Sequence, residues 1–261
     1  MNWPVEDIAG YKVCAIAPAA CVADVTTWIR AKRPEELVGC CRWLACMNPH
    51  SYVVAMQDAS FSNALHAADW LIPDGIGVVL ASKILGGRIR ERVTGSDIFW
   101  GVMNELNKSG GFSVFFLGST EGTLTEIRER MAVDYPNVRV AGTYSPPFKP
   151  IYTPDELNQM MRAINAAAPD VLWVGMTAPK QEKWIYEHRI SLDVKFAGAI
   201  GAVFDFYTGR VKRSHPVFQR MGLEWLPRLL QQPTRLWQRV FLSAPIFLWQ
   251  VIKVRLKQNS N

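Results

Sequence analysis

An aspartate between a proline and a glycine is the side chain in this sequence best placed for acid–base chemistry. Residues 68–77 are Ala-Asp-Trp-Leu-Ile-Pro-Asp-Gly-Ile-Gly, and the first half is apolar and typical of a strand. Pro73 and Gly75 break that strand on either side of Asp74, so we expect the carboxylate at a turn. Apolar residues then recur at helical spacing, which places Asp74 at or next to the N-cap of a helix. The alternative is a capping role alone, because Asp and Gly are common turn residues.

A polar turn also closes the preceding apolar stretch, residues 40–47, with the sequence Asn-Pro-His-Ser at 48–51. If the two strands lie side by side in a parallel sheet, Asn48 and Asp74 emerge at the same carboxyl edge. Open α/β folds bind their ligands at that edge. For Asn48 the alternative is again that it only forms the turn.

Two further segments have the composition of phosphate-binding loops. Residues 86–97 begin with two glycines and carry three arginines, the side chain that grips phosphate with paired hydrogen bonds. Surface arginines in solvent are the alternative for this segment. Gly118 opens the loop Gly-Ser-Thr-Glu-Gly between an apolar strand and a helix, an arrangement that can hold phosphate on backbone N–H groups. This loop lacks both the GxGxxG fingerprint and the Walker lysine.

Strands and helices alternate along most of the chain. Apolar patterns predict strands at residues 11–17, 40–47, 112–117, 138–143, 171–175 and 195–199, with helices at 22–32, 97–107, 124–131, 155–168 and 179–188. This alternation predicts an α/β fold, with a Rossmann-like, mostly parallel sheet flanked by helices.

The positive charge is concentrated at the C-terminal end. Residues 210–261 contain ten Lys or Arg and one acid, a net charge of +9, whereas residues 1–209 contain 19 basic and 22 acidic side chains, a net of −3. We therefore divide the chain into a Rossmann-like core, residues 1–209, and a basic, tryptophan-rich, amphipathic helical appendage, residues 210–261.

The appendage has the composition of a segment that lies on a membrane. Its most apolar run, residues 240–252, is about 13 residues long, short of the roughly 20 that span a bilayer. Basic residues beside an apolar, tryptophan-bearing face are typical of helices that bind anionic membranes at the interface. The alternative is an ordinary core helix with its arginines in solvent, although a net +9 on one segment exceeds what solubility requires.

The five cysteines indicate a reducing compartment, because their number is odd and no secretory signal precedes them. Zinc is the alternative, with Cys40, Cys41, Cys46 and His50 as ligands. Two adjacent cysteines in an apolar run point to opposite faces of a strand, so we predict no metal site there.

Several short motifs follow one another in a fixed order along residues 40–239. They are Asn48, Pro-Asp-Gly-Ile-Gly at 73–77, Glu-Arg-Val-Thr-Gly-Ser-Asp at 91–97, Phe-Leu-Gly at 116–118, Gly-Met-Thr-Ala-Pro-Lys-Gln-Glu at 175–182, Gly-Ala-Val-Phe-Asp at 201–205 and Trp-Leu-Pro-Arg at 225–228. Each motif is modest alone. Together and in this order they resemble the WecG/TagA/CpsF family of glycosyltransferases.

The resemblance implies an enzyme that moves a sugar from a UDP-sugar to a polyprenyl-diphosphate-linked saccharide. The product would belong to a bacterial surface polysaccharide of the exopolysaccharide, teichoic acid or enterobacterial-antigen type. The implied reaction inverts the anomeric carbon and needs no metal or other cofactor, and this sequence has no Asp-x-Asp motif. The transferred sugar would be N-acetylmannosamine, its uronic acid, or a hexose such as glucose.

The family also implies a location and a set of partners. Its members act as peripheral enzymes at the cytoplasmic face of the cell membrane. The expected partners are therefore the UDP-sugar donor, the polyprenyl-diphosphate-linked sugar acceptor and an anionic membrane surface, without nucleic acid. Self-association into a homo-oligomer is left open.

The family's site residues are carried over position by position. Asp74 matches the proposed general base, and Asn48 matches a pocket residue near it. The other candidate substrate-binding residues are Cys46, Gly75, Arg92, Gly118, Lys180, Gln181 and Asp205, together with Arg228, Arg235 and Arg239 in the appendage thought to close the site. Cys46 departs from the family, which often has Thr there. A thiol is a weaker hydrogen-bonding group than a hydroxyl, so this change points to a different sugar, such as a hexose.

Two other classes of protein fit parts of the sequence. A dinucleotide-dependent oxidoreductase would use the same sheet, but the GxGxxG fingerprint and a ribose-binding acid at the right offset are missing. A non-catalytic protein that binds a membrane or a nucleic acid would explain the basic appendage. It would leave the motifs around Asp74 and Gln181 without a use.

Overall fold

The computed structural model describes residues 3–32, 41–211 and 237–259. The described residues form β1 (Val5–Ile8), β2 (Tyr11–Cys14), β3 (Arg42–Met47), β4 (Trp70–Pro73), β5 (Phe112–Gly118), β6 (Val138–Tyr144), β7 (Val171–Gly175) and β8 (Phe196–Ala199). The first two strands make an antiparallel hairpin, and the other six form a parallel sheet in the order β4-β3-β8-β7-β5-β6. The predicted α/β fold with a Rossmann-like parallel sheet is confirmed.

The helices lie between these strands and at the C-terminal end. They are α1 (Pro18–Arg30), α2 (Pro49–Ala55), α3 (Ala59–Ala67), α4 (Ile76–Leu85), α5 (Gly95–Ser109), α6 (Glu121–Asp134), α7 (Pro154–Ala167), α8 (Lys180–His188), α9 (Val203–Tyr207) and α10 (Ala244–Asn259). A π-helical segment, Gln238–Ser243, leads into α10. Within the described ranges, no helix combines the length and the apolar character that a bilayer-spanning segment needs.

The central strands form because their residues are apolar on both faces, as parallel strands covered by helices require. All of β7 up to Val174 is buried, and so is β5 from Ser113 onward. Trp173 on β7 is fully buried, with its ring centroid 5.2 Å from that of Phe99 and 5.8 Å from that of Phe196. These aromatic contacts fix the position of the strands whose carboxyl ends carry the candidate site residues.

The chain divides into two compact units, which we describe separately. Unit 1 contains the described residues among 1–18, 46–94 and 211–261, and unit 2 contains those among 19–45 and 95–210. In unit 1, α10 packs against α2 and α4. Its Phe247 and Val251 are fully buried, and the Phe247 ring lies 5.0 Å from the ring of Tyr52. The functional division at residue 209/210 stays a prediction.

The structure differs from the sequence-based elements in a few places. Residues 5–8 form a strand that was not predicted from the sequence. Their short polar pattern is not typical of a strand, and the strand forms by pairing with β2. The helix predicted at residues 97–107 begins two residues earlier, at Gly95. The other predicted strands and helices are present, with ends shifted by a few residues.

Candidate functional site

Asp74 lies directly after β4, in a turn whose backbone is held from two sides. Its own N–H donates to the carbonyl of Met47 at the end of β3 (2.8 Å), and the carbonyl of Pro73 accepts from the N–H of Val93 (2.9 Å). The Asp74 side chain is half-buried. The predicted position at a strand end is therefore confirmed, and the carboxylate is carried by a fixed turn.

Gly75 is the N-cap of α4, so Asp74 is the residue next to the N-cap. Gly75 has φ +108°, in a region that glycine adopts far more easily than other residues. The first turn of α4 comes very close to α2, because a Cβ on Gly77 would overlap the ring of Pro49. The starts of α2 and α4 thus lie side by side at the ends of β3 and β4.

Asn48 is the N-cap of α2, and this role occupies its side-chain carbonyl. Its Oδ1 accepts from the N–H groups of His50 (3.0 Å) and Ser51 (2.9 Å), and its own N–H donates to the Ser51 hydroxyl (2.8 Å). With Oδ1 already accepting two bonds, any contact of Asn48 with a substrate falls to its amide nitrogen. Cys46 lies two residues earlier, near the end of β3, and is half-buried.

Arg92 lies in the loop after α4, next to Val93, which binds the end of β4. Unit 1 therefore brings Cys46, Asn48, Asp74, Gly75 and Arg92 to the ends of two neighbouring strands. Arg92 is half-buried, whereas Arg88 and Arg90 in the same loop are exposed. This difference sets Arg92 apart from the other two arginines of the segment.

Glu6 on β1 anchors the arginine loop. Its Oε2 accepts from the N–H groups of Arg88 (2.8 Å) and Ile89 (3.2 Å) and from the Ser82 hydroxyl (3.0 Å). Gly87 has no room for a side chain, since a Cβ there would overlap the Glu6 carboxylate. The sequence gives no signal for this contact, because the partners are about 80 positions apart.

In unit 2, Gly118 ends β5 and faces the end of β7. It has φ +116°, and a Cβ on it would lie 2.5 Å from the carbonyl oxygen of Gly175. The chain leaves β5 toward β6 on one side and leaves β7 toward β8 on the other. Such a change of direction opens a crevice between two parallel strands, where α/β folds bind their ligands. The strand order places the loop beginning at Gly118 at this change of direction.

Residues 145–153 form a loop that is bonded to the segments following β5 and β7. The Ser145 hydroxyl donates to the carbonyl of Ser119 (2.8 Å), and the Tyr152 hydroxyl donates to the sulfur of Met176 (3.5 Å). The Lys180 ammonium lies 3.8 Å from the centre of the Tyr152 ring and donates to the carbonyl of Lys149. Burial lowers the pKa of Lys180 and raises that of Tyr152 to about 12. Lys180 therefore fastens this loop, and its direct role in binding substrate stays a prediction.

Gln181 and Glu182, the next two residues of α8, are buried side by side, with exposed fractions of 4% and 2%. Gln181 Nε2 donates to Glu182 Oε1 (2.9 Å), and Gln181 Oε1 accepts from the N–H of Gly201 (3.1 Å). Burial raises the pKa of the Glu182 carboxyl to about 7. The predicted site residue Gln181 thus contacts the turn before α9, which carries Asp205.

The structure places the remaining predictions as follows. Asp205 is half-buried on α9 of unit 2. Arg228 and Arg235 lie outside the described residues, and Arg239 lies in the π-helical segment, with its side chain outside the described part. The assignments of all these residues to substrate stay predictions.

Sequence reasoning missed Glu6 and Glu182 as residues that organise the site. For Glu182 a signal was present, because Ile185 follows it at helical spacing and a helix buries one face. An acid on the apolar face of a short helix is unusual enough to be noted.

Comparisons with known proteins agree over most of the chain. Residues 6–261 match the family model described as the glycosyl transferase WecG/TagA/CpsF family. A relative from Bacillus spizizenii, named N-acetylglucosaminyldiphosphoundecaprenol N-acetyl-beta-D-mannosaminyltransferase, is 33% identical over 211 residues, 81% of this chain and 79% of its own length. Relatives with the same name from Bacillus subtilis (30% identity, 80% and 78%) and Staphylococcus aureus (26% identity, 82% and 81%) match similar lengths.

Proposed function

Because the chain belongs to the WecG/TagA/CpsF family of glycosyltransferases, we propose that it transfers N-acetylmannosamine from its UDP-sugar to a polyprenyl-diphosphate-linked N-acetylglucosamine. The match over residues 6–261 is the observation that carries this proposal. The names of the relatives from three species support both the sugar and the acceptor.

The mechanism we propose is a direct displacement with inversion at the anomeric carbon. Asp74 takes the proton of the acceptor hydroxyl as its oxygen attacks, a role that requires an ionised carboxylate within hydrogen-bond reach. Arg92 stabilises the negative charge that develops on the departing UDP, a charge present mainly in the transition state. The fixed turn that carries Asp74 supports this assignment, because a general base must be held in one position.

A second candidate differs only in the sugar. Cys46 stands where the family often has Thr, and a thiol offers a weaker contact to a sugar hydroxyl or amide than a hydroxyl does. This single position favours a hexose donor, such as UDP-glucose. The uronic acid of N-acetylmannosamine is the third donor to compare.

The test of the function is a donor screen with the purified full chain. Each of the three UDP-sugars is incubated with polyprenyl-diphosphate N-acetylglucosamine in a chelating buffer, and the lipid product is identified by mass. We expect transfer from UDP-N-acetylmannosamine. Transfer only from UDP-glucose would support the second candidate, and no transfer from any donor would contradict the proposed function.

We also propose that the C-terminal segment holds the enzyme on the cytoplasmic face of the membrane, where its acceptor lies. On α10, Phe247 and Val251 face the protein, whereas Ile246, Trp249 and Leu256 are exposed. Lys253 lies on the exposed side, its ammonium 5.4 Å from the Trp249 ring, and residues 225–261 contain no acid. An apolar outer face with basic residues suits an anionic lipid surface.

The donor site gives a prediction for Arg92. Replacing Arg92 by Ala should weaken binding of the UDP-sugar by about 1.5 to 3 kcal/mol, roughly 10- to 150-fold in Kd, because a charge-assisted hydrogen bond to the diphosphate is lost. Titration calorimetry measures the change. Arg90→Ala is the matched control, since Arg90 is exposed in the same loop. Equal affinities of the two variants would remove Arg92 from the donor site.

A further inference from the structure

Gln181 and Glu182 form a buried pair in α8. Burying the carboxyl group of Glu182 lowers the stability of the fold. Glu182 is 2% exposed, and its Oε2 has no hydrogen-bond partner among the residues that the structure describes. Its other oxygen, Oε1, accepts from Gln181 Nε2 at 2.9 Å. A buried polar group with an unpaired atom lowers folding stability. The hydrogen bond between Glu182 and Gln181 therefore calls for an explanation in terms of the site.

That bond decides which way the Gln181 amide faces. The N–H of Gly201 can only donate, so the Gln181 atom 3.1 Å from it must be the carbonyl oxygen. The amide nitrogen then faces Glu182, which offers an acceptor. If the amide were turned by 180°, its NH₂ group would face the N–H of Gly201, and two donors cannot bond to each other. Its oxygen would face Glu182 Oε1, which would then lose the hydrogen bond from Nε2. Glu182 and Gly201 thus hold Gln181 in one orientation.

The far end of this chain of contacts is the turn between β8 and α9. Gly201 has φ +55°, a left-handed conformation, and its N–H points to Gln181. The next turn of backbone is closed by the Val203 N–H, which donates to the carbonyl of Ile200 (3.3 Å). Asp205, a candidate substrate-binding residue, follows within α9. The hydrogen bond from the Gly201 N–H to Gln181 Oε1 therefore fixes the start of the helix that carries Asp205.

We propose that Glu182 is a positioning residue for the UDP-sugar site: it orients Gln181, which holds the β8–α9 turn and with it Asp205. This inference rests on the proposed function. Glu182 contacts no substrate in this account. It acts through the Gln181 amide, at the cost of burying an acid whose Oε2 has no partner in the described part of the chain.

The proposal predicts that UDP-sugar binding and the order of the β8–α9 turn change when Glu182 is replaced, with little change in stability. Glu182→Leu removes the buried acid, which favours folding, but leaves Gln181 Nε2 without this acceptor, which opposes it, so the midpoint of thermal unfolding, Tm, should change little at pH 7.5. Because the acceptor for Gln181 is lost, the Kd for the UDP-sugar should rise about 10-fold. Hydrogen exchange of the backbone amides of residues 196–207 should become faster. Glu182→Gln keeps an acceptor oxygen at the same place, so the Kd for the UDP-sugar and the rate of hydrogen exchange should stay close to those of the wild type.

The experiment compares these variants with Glu187→Leu, which makes the same substitution at an exposed acid of the same helix. Tm, UDP-sugar affinity and hydrogen exchange are measured on each full chain. Wild-type exchange and affinity in Glu182→Leu would overturn the inference. So would a large fall of Tm with faster exchange across the whole of unit 2, which would show that Glu182 serves the fold alone.

A second variant and a measurement without substrate cover two other outcomes. Should Glu182→Leu fail to fold, Gln181→Met removes the same link while leaving Glu182, and it should give the same faster exchange at residues 196–207. Should the wild type bind no UDP-sugar, the proposed function fails, but the exchange measurement still tests whether Glu182 holds the turn, because it needs no substrate.

Discussion

Asp74→Asn is expected to lower turnover by about 10²- to 10⁴-fold, the usual contribution of a positioned general base, while fold and UDP-sugar binding stay unchanged. Asn has the shape of Asp but takes up no proton at neutral pH. The turn should persist, because it is held by backbone bonds from Asp74 to Met47 and from Val93 to Pro73. Single-turnover rates with lipid-linked acceptor, with calorimetry for donor binding, measure the two effects separately.

Asp69→Asn is the matched control for this variant. Asp69 is also half-buried, but it precedes β4 at the amino end of the strand, away from the turn that carries Asp74. The control should turn over at close to the wild-type rate. If Asp74→Asn is as active as the control, another group removes the proton, and Asp74 is only a turn residue.

The strand ends could be predicted from the sequence because they combine two local signals. A continuous apolar run marks a buried parallel strand, and Pro, Gly or Asn marks its end. Asp74, Asn48 and Gly118 were found in this way, and the structure places each at the end of its strand. Their position follows from local pattern alone.

The contacts that hold these residues could not be predicted, because they join distant parts of the chain. Glu6 binds the arginine loop about 80 residues away, and Ser145 binds Ser119 across two loops. No local pattern indicates which carboxylate will fill which set of backbone N–H groups. The family resemblance implies substrate contacts for Lys180 and Gln181, and these stay predictions. The bonds of Lys180 to the carbonyl of Lys149 and of Gln181 to the N–H of Gly201 were not predicted, since they too join separate segments.

Membership of a glycosyltransferase family also separates the classes of function that the sequence left open. The hypothesis of an oxidoreductase relied on the parallel sheet alone, and enzymes of many different reactions share such a sheet. The hypothesis of a non-catalytic binding protein relied on the basic C-terminal segment. An enzyme with a lipid-linked acceptor can use such a segment to contact an anionic membrane. A basic surface is thus compatible with catalysis at a membrane.

The C-terminal helix gives the other large effect. Truncation is a poor test, because Phe247 and Val251 belong to the core of unit 1 and their loss would expose Tyr52. Substitutions on the outer face avoid this. Trp249→Glu combined with Leu256→Glu should abolish flotation with anionic vesicles and transfer to a long polyprenyl acceptor, while transfer to a short-chain acceptor in water persists.

The size of this effect follows from the area that leaves water. Trp249 and Leu256 are 56% and 59% exposed, so inserting both into lipid should contribute roughly 3 to 5 kcal/mol, or about 10²- to 4 × 10³-fold in vesicle binding. Salt should weaken the wild-type binding as well, since Lys253 and Lys257 each contribute only about 1 kcal/mol, screened within a Debye length.

The matched control carries the same two changes elsewhere, Val133→Glu with Ile190→Glu, at apolar residues that are 79% and 68% exposed in unit 2. It should float and transfer like the wild type. The comparison separates a specific membrane face from general loss of surface hydrophobicity, because both variants lose two exposed apolar side chains and gain two negative charges. Equal flotation of the two variants would mean that the outer face of α10 does not meet the lipid, and that the enzyme reaches its acceptor by another surface.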